Sequence, residues 1–460
     1  MSRHDKAVEE AGGGGRYDED DVAVIGMSCR FPDADDPDQY WDNLIQGRVS
    51  VREVPPDRWD WREFYGDPSA PNRIQNKWGG FIDAIDQFDG DFFRISPTEA
   101  RVLDPQQRLI LQLTWSCLED AGYLPSDLAG TDTGVYVGVS TLEYRELLTQ
   151  YQRVVEAHRS TGNYLSLVAN RVSYYLDLRG PSLPFDTACS SSLFAMHYAS
   201  EALRRHEISM AVVGGINILA CPITVISFAK TGMLSPTGRC RTFDASADGY
   251  VRGEGGGVLL LKRLADALRN GDRICGIIKG SALNHGGKAQ TLTSPNAFAQ
   301  AQVIHEAYAK AGIPVDRISY IEAHGTATPK GDPLEITGLK RAWRNLERTF
   351  SVKAAPQSCG LGSVKTNIGH LESASGMASV IKVLLAFRHR KLPALANFKQ
   401  LNPQIHLDET SPFYLMTEPR DWEPTTPDGV LTAGVSAFGF GGTNAHLVLQ
   451  SPPGDGFRMD

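Results

Sequence analysis

Cys189 stands in Asp186-Thr187-Ala188-Cys189-Ser190-Ser191-Ser192-Leu193, after the short apolar run Pro181 to Phe185. Small residues crowd this turn, and Leu193, Met196 and Ala199 recur at helical spacing. The pattern predicts a strand, a tight turn and a helix beginning near Ser190. A cysteine at such a helix start faces unpaired N–H groups and the positive end of the helix dipole. Both favour the thiolate, the form that attacks an acyl carbon. Most free cysteines are small core residues, so Cys189 gains meaning only with partners. Two histidines are candidates. His324 stands in Glu322-Ala323-His324-Gly325-Thr326-Ala327-Thr328-Pro329-Lys330-Gly331-Asp332-Pro333, and His370 in Lys365-Thr366-Asn367-Ile368-Gly369-His370-Leu371-Glu372. Each follows a short strand pattern and sits in a Gly-flanked turn, where α/β folds gather their sites. His4, His158, His206, His305 and His389 have no such setting and read as surface or packing residues.

The elements that must position these groups alternate in type. Strands are expected at Val22–Met27, Gly134–Val139, Met210–Gly215, Gly256–Leu261, Ile274–Ile278, Ile318–Glu322 and His446–Leu449. Helices are expected at Pro37–Gln46, from Asp104-Pro105 to Gly122, at Tyr164–Tyr175, Ala297–Ala311 and Ala374–Arg388. Gly434 to Asn444 reads as one glycine-rich turn. Alternating strands and helices indicate an α/β fold with mostly buried sheets. No linker rich in Pro, Gly or Ser divides the middle of the chain. One catalytic unit is therefore expected over residues 21–451, with a disordered acidic, Gly-rich tail over 1–20 and a loose end over 452–460.

Composition narrows the classes. The chain has 460 residues, is 42% hydrophobic and carries a net charge of -8, enough for a large core and without the basic patch that nucleic acid requires. No apolar run is long enough to span a membrane, and the polar N-terminus lacks signal-peptide character. The seven cysteines (Cys29, Cys117, Cys189, Cys221, Cys240, Cys275 and Cys359) are scattered and form no C-x-x-C pair. That argues against a disulfide framework or zinc site and suits a reducing cytoplasm. Gly360-Leu361-Gly362-Ser363-Val364-Lys365-Thr366 lacks the glycine that a phosphate loop places before its lysine.

Taken together, Asp186 to Leu193, Asp248 to Gly255, Glu322 to Pro333, Gly362 to Glu372, Gly434 to His446 and Asp104 to Arg108 resemble the motifs of β-ketoacyl synthases, and among them the ketosynthase domains of modular type I polyketide synthases. The resemblance runs from Val22 to Leu449. It implies a thiolase-like fold: two similar α/β halves in an α-β-α-β-α layering, assembled as a homodimer. It also implies that Cys189 is the nucleophile and that His324 and His370 complete a Cys-His-His set. Thr326 and Thr328 then line the path of a phosphopantetheine arm, and Lys365 and Glu372 belong to the polar network behind the histidines. Phe438 is the gate, its N–H joining that of Cys189 as the oxyanion hole. Ala327 replaces a glycine usual in the family, and its methyl is expected to narrow the arm's path. Asn284-His285-Gly286-Gly287 resembles ketosynthases whose acyltransferase is a separate protein acting in trans.

The implied activity is acyl transfer to Cys189, then decarboxylative Claisen condensation with a malonyl-type unit on an acyl carrier protein. Phosphopantetheine arrives on that carrier and is not bound permanently; no metal or redox cofactor is called for. Two alternatives stay open. A non-elongating ketosynthase would transfer acyl chains without extending them. A Cys-His thioesterase would hydrolyse them.

Overall fold

The computed structural model describes residues 17–151, 155 and 157–452. Eleven strands form one continuous sheet. In chain order they are β1 Val22–Arg30, β2 Gly134–Gly138, β3 Ser182–Phe185, β4 Met210–Asn217, β5 Gly255–Arg263, β6 Gly276–His285, β7 Tyr320–Glu322, β8 Cys359–Gly362, β9 Phe413–Leu415, β10 Thr432–Phe438 and β11 Thr443–Gln450. Their spatial order is β9-β8-β7-β10-β11-β6-β1-β5-β4-β2-β3.

That order contains a duplication. In the first half, β1 to β5 lie as third-second-fourth-fifth-first, with β3, β2 and β4 parallel and β5 and β1 joining antiparallel. In the second half, β8-β7-β10-β11-β6 repeats the same order and the same directions. The halves meet where Val22–Val24 of β1 pairs with Gly276–Ile278 of β6. The two similar halves are therefore present, although no periodicity in the sequence marks them. The strands are nearly continuous apolar runs because both faces are covered.

Seven helices matter for the site: α1 Pro105–Ala121, α2 Glu143–Tyr151, α3 Ser166–Leu176, α4 Ser191–Arg204, α5 Ala297–Ala311, α6 Gly331–Phe350 and α7 Ser375–His389. Helices α1 and α3 cover the outer face of the first half, and α5 and α6 cover that of the second. Between the halves, α4 and α7 pack on each other and on both, in a core that includes Met196, Ala199, Met377 and Ile381. This is the α-β-α-β-α layering. The starts of α4 and α7 thus meet at the centre of the molecule, and Ser192 Oγ accepts the Met377 N–H there (3.1 Å).

The expected elements fall close to the observed ones: α1 is capped by the Asp104 carboxylate and stopped by Gly122 in the left-handed conformation, and α5 occupies Ala297–Ala311 as expected. The turn expected over 434–444 contracts, because Thr432–Phe438 is strand β10. Gly434 serves close packing there: a Cβ would stand 2.4 Å from the Tyr308 hydroxyl and 2.6 Å from His446 Nε2. Helix α6 lies where no element was expected. The acidic tail lies mostly outside the described residues, but Asp18–Asp21 form a turn closed by the Asp21 N–H on the Asp18 carbonyl (3.0 Å), and the Tyr17 hydroxyl before it donates to the Ser451 carbonyl (3.0 Å). No helix among the described residues is long and apolar enough to cross a membrane.

Candidate functional site

Cys189 follows β3 in a single 3₁₀ turn, Ala188–Ser190, that runs into α4. Ala188 adopts φ +54°, which costs a non-glycine residue about 1–2 kcal/mol. The serine run holds this turn in place. Ser191 Oγ accepts the Thr187 N–H (3.0 Å) and donates to the Ala188 carbonyl (2.6 Å). Ser190 Oγ and Thr443 Oγ1 both donate to the Thr187 carbonyl (2.9 Å each). Thr443 opens β11, so the nucleophile's turn is tied across to the other half of the fold.

His324 follows β7 and His370 follows β8, at the same end of the sheet. The two imidazoles stand 5.5 Å apart, centre to centre, nearly perpendicular, and Tyr250 flanks His370 at 5.2 Å. Both rings and Cys189 line one cavity of about 630 Å³, together with Thr326, Thr328, Phe438 and Phe440. Burial and the nearby Lys365 charge hold both imidazoles well below the usual histidine range, so both are neutral at pH 7. For His370 the tautomer is set as well: Nδ1 accepts the Glu372 N–H (3.0 Å), which leaves the proton on Nε2. Nε2 is buried and has no protein partner, and the His324 Nδ1 is likewise unpartnered.

The thiol differs from expectation. Burial, then the Glu372 carboxylate, push Cys189 up to about 12, against the hydrogen bonds from the N–H of Phe440 and from its own N–H. The helix start is present, yet desolvation of the anion outweighs it, and the resting group is a thiol. Of the two phenylalanines in this turn, Phe438 is the one expected to supply the N–H beside Cys189; the N–H that lowers the thiol pKa is that of Phe440. Phe438 ends β10, buried, with its ring 5.5 Å from His324. Phe440 lies in the turn beyond the strand, is 45% exposed and packs edge-on against Phe228.

Thr326 and Thr328 place their hydroxyls 3.5 Å apart on the cavity wall. Ala327 between them points away. It is fully buried against Val51, Cys240 and Val251, at φ +60°. Its methyl therefore does not narrow the path, and the left-handed backbone is what makes glycine suit this position.

Lys365 and Glu372 belong to separate clusters. Lys365 is buried between the charges of Glu322 and Glu335, and burial lowers its pKa. Glu322 receives the Val364 N–H (2.6 Å) and the Lys382 ammonium (2.7 Å), while Glu335 receives the N–H groups of His324 (2.7 Å) and Gly325 (2.8 Å). These two carboxylates brace the turns that carry the histidines. Glu372 instead pairs with Arg252. Glu335 and Arg252 escape the sequence reading. Glu335 lies on the unexpected helix α6, three residues after Asp332 on the same face, and that spacing was its only signal.

Comparison with known proteins gives a consistent result. The family model described as the β-ketoacyl synthase N-terminal domain matches residues 19–267, the C-terminal domain model matches 275–399, and the ketoacyl-synthetase C-terminal extension matches 402–458. The chain is 49% identical over 445 residues to the polyketide synthase ThaG of Burkholderia thailandensis, and 48% identical over 434 residues to the polyketide synthase PksN of Bacillus subtilis. Those matches cover 95% and 93% of this chain but only 8% of each relative. Among solved structures, it is similar to a ketosynthase from module 6 of the bacillaene synthase of Bacillus subtilis (TM-score 0.88, 41% identity, 95% of this chain and 72% of that one). It is equally similar to an oxazolomycin ketosynthase domain from Streptomyces albus (TM-score 0.88, 42% identity, 95% and 76%).

Proposed function

The chain belongs to the β-ketoacyl synthase family, as a ketosynthase of the polyketide-synthase kind, and we propose that it both loads and extends acyl chains. The observation that carries this is the meeting of a turn cysteine with two neutral histidines on one cavity, one of them with an unpartnered, buried Nε2–H.

In the first half-reaction an acyl thioester on a carrier's phosphopantetheine arm enters past Thr326 and Thr328. Cys189 Sγ attacks the acyl carbon. The backbone N–H groups of Cys189 and Phe440 stabilise the tetrahedral oxyanion. The pantetheine sulfur leaves and takes up the proton that Cys189 gives up. The thiol rests protonated, so its proton departs as attack proceeds.

In the second half-reaction a malonyl-type thioester on the carrier loses carbon dioxide. The electron pair of the broken bond becomes an enolate, whose oxygen lies between His324 and His370. Neutral imidazole N–H groups donate to it; imidazolium ions would give their protons away instead. The enolate carbon attacks the acyl carbon on Cys189, the C–S bond breaks with Cys189 leaving as thiolate, which takes up a proton from water, and the β-ketoacyl product leaves on the carrier. Lys365 and Glu372 support this set from behind, Lys365 through Glu322 and Glu335. Phe440 is assigned the gate in place of Phe438, since it is the exposed ring at the cavity.

Acyl carrier proteins are the proposed partners. The Asn284-His285-Gly286-Gly287 motif, whose glycines line the cavity mouth, supports a separate acyltransferase as malonyl donor to the carrier. A homodimer is proposed because β3 is an open edge strand with Leu183 and Tyr198 exposed beside it. Seven free thiols suit a cytoplasmic setting.

Intact-protein mass spectrometry tests the reading. Acyl-carrier protein should add the acyl mass to wild type but not to Cys189→Ala, and malonyl-carrier protein should then release carbon dioxide and an extended product. Acyl exchange without extension would leave a transacylase; release of free acid would mean a hydrolase.

A further inference from the structure

We infer that Arg252 is a positioning residue for His370, acting through the backbone of Glu372. The inference rests on His370 being an enolate donor.

Residues 250–254 run beside the His370 turn. The His370 N–H donates to the Val251 carbonyl (2.7 Å) and the Gly253 N–H to the His370 carbonyl (2.8 Å). This approach needs a glycine: a Cβ on Gly253 would stand 2.7 Å from the Ile368 carbonyl oxygen. The Arg252 side chain then turns back to the same loop. Its Nε and Nη2 donate to the two oxygens of Glu372 (2.6 and 2.8 Å), and Nη2 also donates to Glu143 (2.9 Å). Glu143 is itself anchored by the N–H groups of Ala220 (2.9 Å) and Cys221 (3.2 Å). The guanidinium lies over the Phe228 ring at 5.5 Å and is 1% exposed.

Glu372 has φ +50°, a conformation that a side-chain-bearing residue adopts only when held. That same conformation presents its N–H to His370 Nδ1. A fork of two hydrogen bonds from a planar guanidinium fixes the carboxylate in direction as well as in distance, which a lysine could not do. The chain of causes is then explicit. Glu143 holds Arg252, Arg252 holds the Glu372 carboxylate, the carboxylate holds the left-handed backbone, and the backbone N–H selects the Nε2–H form of His370. Cys189 takes no hydrogen bond from Arg252, Glu143 or Glu372; the Glu372 charge raises its thiol pKa, and Arg252→Gln leaves that charge in place. Disturbing Arg252 should therefore separate the two half-reactions, whereas a merely structural ion pair would degrade both together.

The experiment uses the full chain carrying Arg252→Gln, Glu372→Gly, and both. Acyl loading is read by intact mass, carbon dioxide release and extension with malonyl-carrier protein, and folding by thermal melting. Arg252→Gln should load at close to the wild-type rate and extend roughly ten- to a hundredfold more slowly, the range set by a misplaced donor. Glu372→Gly keeps the N–H and takes positive φ freely but loses the carboxylate, so it should extend faster than Glu372→Ala, which resists that backbone. The double variant should recover most of what Arg252→Gln loses. Normal extension by Arg252→Gln, a parallel fall in loading and extension, or no recovery in the double variant would overturn the inference. If Arg252→Gln does not fold, Glu372→Ala against Glu372→Gly decides. Both leave Arg252 on Glu143, but only alanine resists the left-handed backbone; equal extension by the two overturns the inference. A wild-type chain that loads and never extends refutes the parent reading instead.

Discussion

His370→Ala should divide the reaction in two. Nε2–H of His370 is buried and unpartnered, on a residue that lines the cavity holding Cys189, and Nδ1 is occupied by the Glu372 N–H. An unpaired buried donor costs about 1–3 kcal/mol in the resting enzyme. That deficit is recovered only when an acceptor arrives, and an enolate oxygen is a stronger acceptor than the ground-state thioester carbonyl. Removing one such donor from an oxyanion site costs about 2.7–4 kcal/mol, roughly a hundred- to a thousandfold in rate. Loading draws on the proposed backbone donors of Phe440 and Cys189 rather than on His370, and should change little. The acyl-enzyme would therefore accumulate and decay only by slow hydrolysis. Loading is followed by intact mass, and extension by adding malonyl-carrier protein to the purified acyl-enzyme. Normal extension would refute the donor role and leave His370 a packing residue. Loss of loading would mean that His370 serves Cys189 itself.

With its thiol pushed up to about 12, Cys189 should react with iodoacetamide about tenfold faster for each pH unit between 7 and 9, because only the thiolate reacts. Replacing Glu372 by Gln removes a raising charge and should speed alkylation at any one pH; a plateau near pH 7 in wild type would refute the assignment. Ala327→Gly relieves about 1–2 kcal/mol of left-handed strain but loses roughly 0.8 kcal/mol of methyl burial and gains unfolded-state entropy, so chemical denaturation should shift by less than about 1 kcal/mol. KM for the carrier substrate should not change, and a several-fold change would place the methyl in the arm's path after all. Leu183→Lys puts a charge on the open edge strand β3 and should convert a dimer to monomer by light scattering; a monomeric wild type would remove the dimer from the proposal.

By itself the sequence determined the local elements and, with the family resemblance, singled out the candidate groups. Asp104 before a proline and Gly122 after an apolar stripe suffice to bound α1, because caps act within a turn of the chain. Cys189, His324 and His370 announce themselves by the small residues around them, since a turn that must approach a substrate excludes bulk wherever it stands. What the sequence could not decide depends on distance through space. The two halves share strand order and direction but no visible repeat, because many apolar sequences satisfy one buried strand. The thiol's protonation follows from desolvation and from Glu372, a charge far along the chain, and these outweigh the local helix start. Whether Phe438 or Phe440 serves Cys189 turns on where β10 ends, a register set by pairing with β11 and β7. The partner of Glu372 is Arg252, brought beside it by the Arg252–His370 strand contact. Local signals named the candidate groups; tertiary packing set their charge and the tautomer of His370.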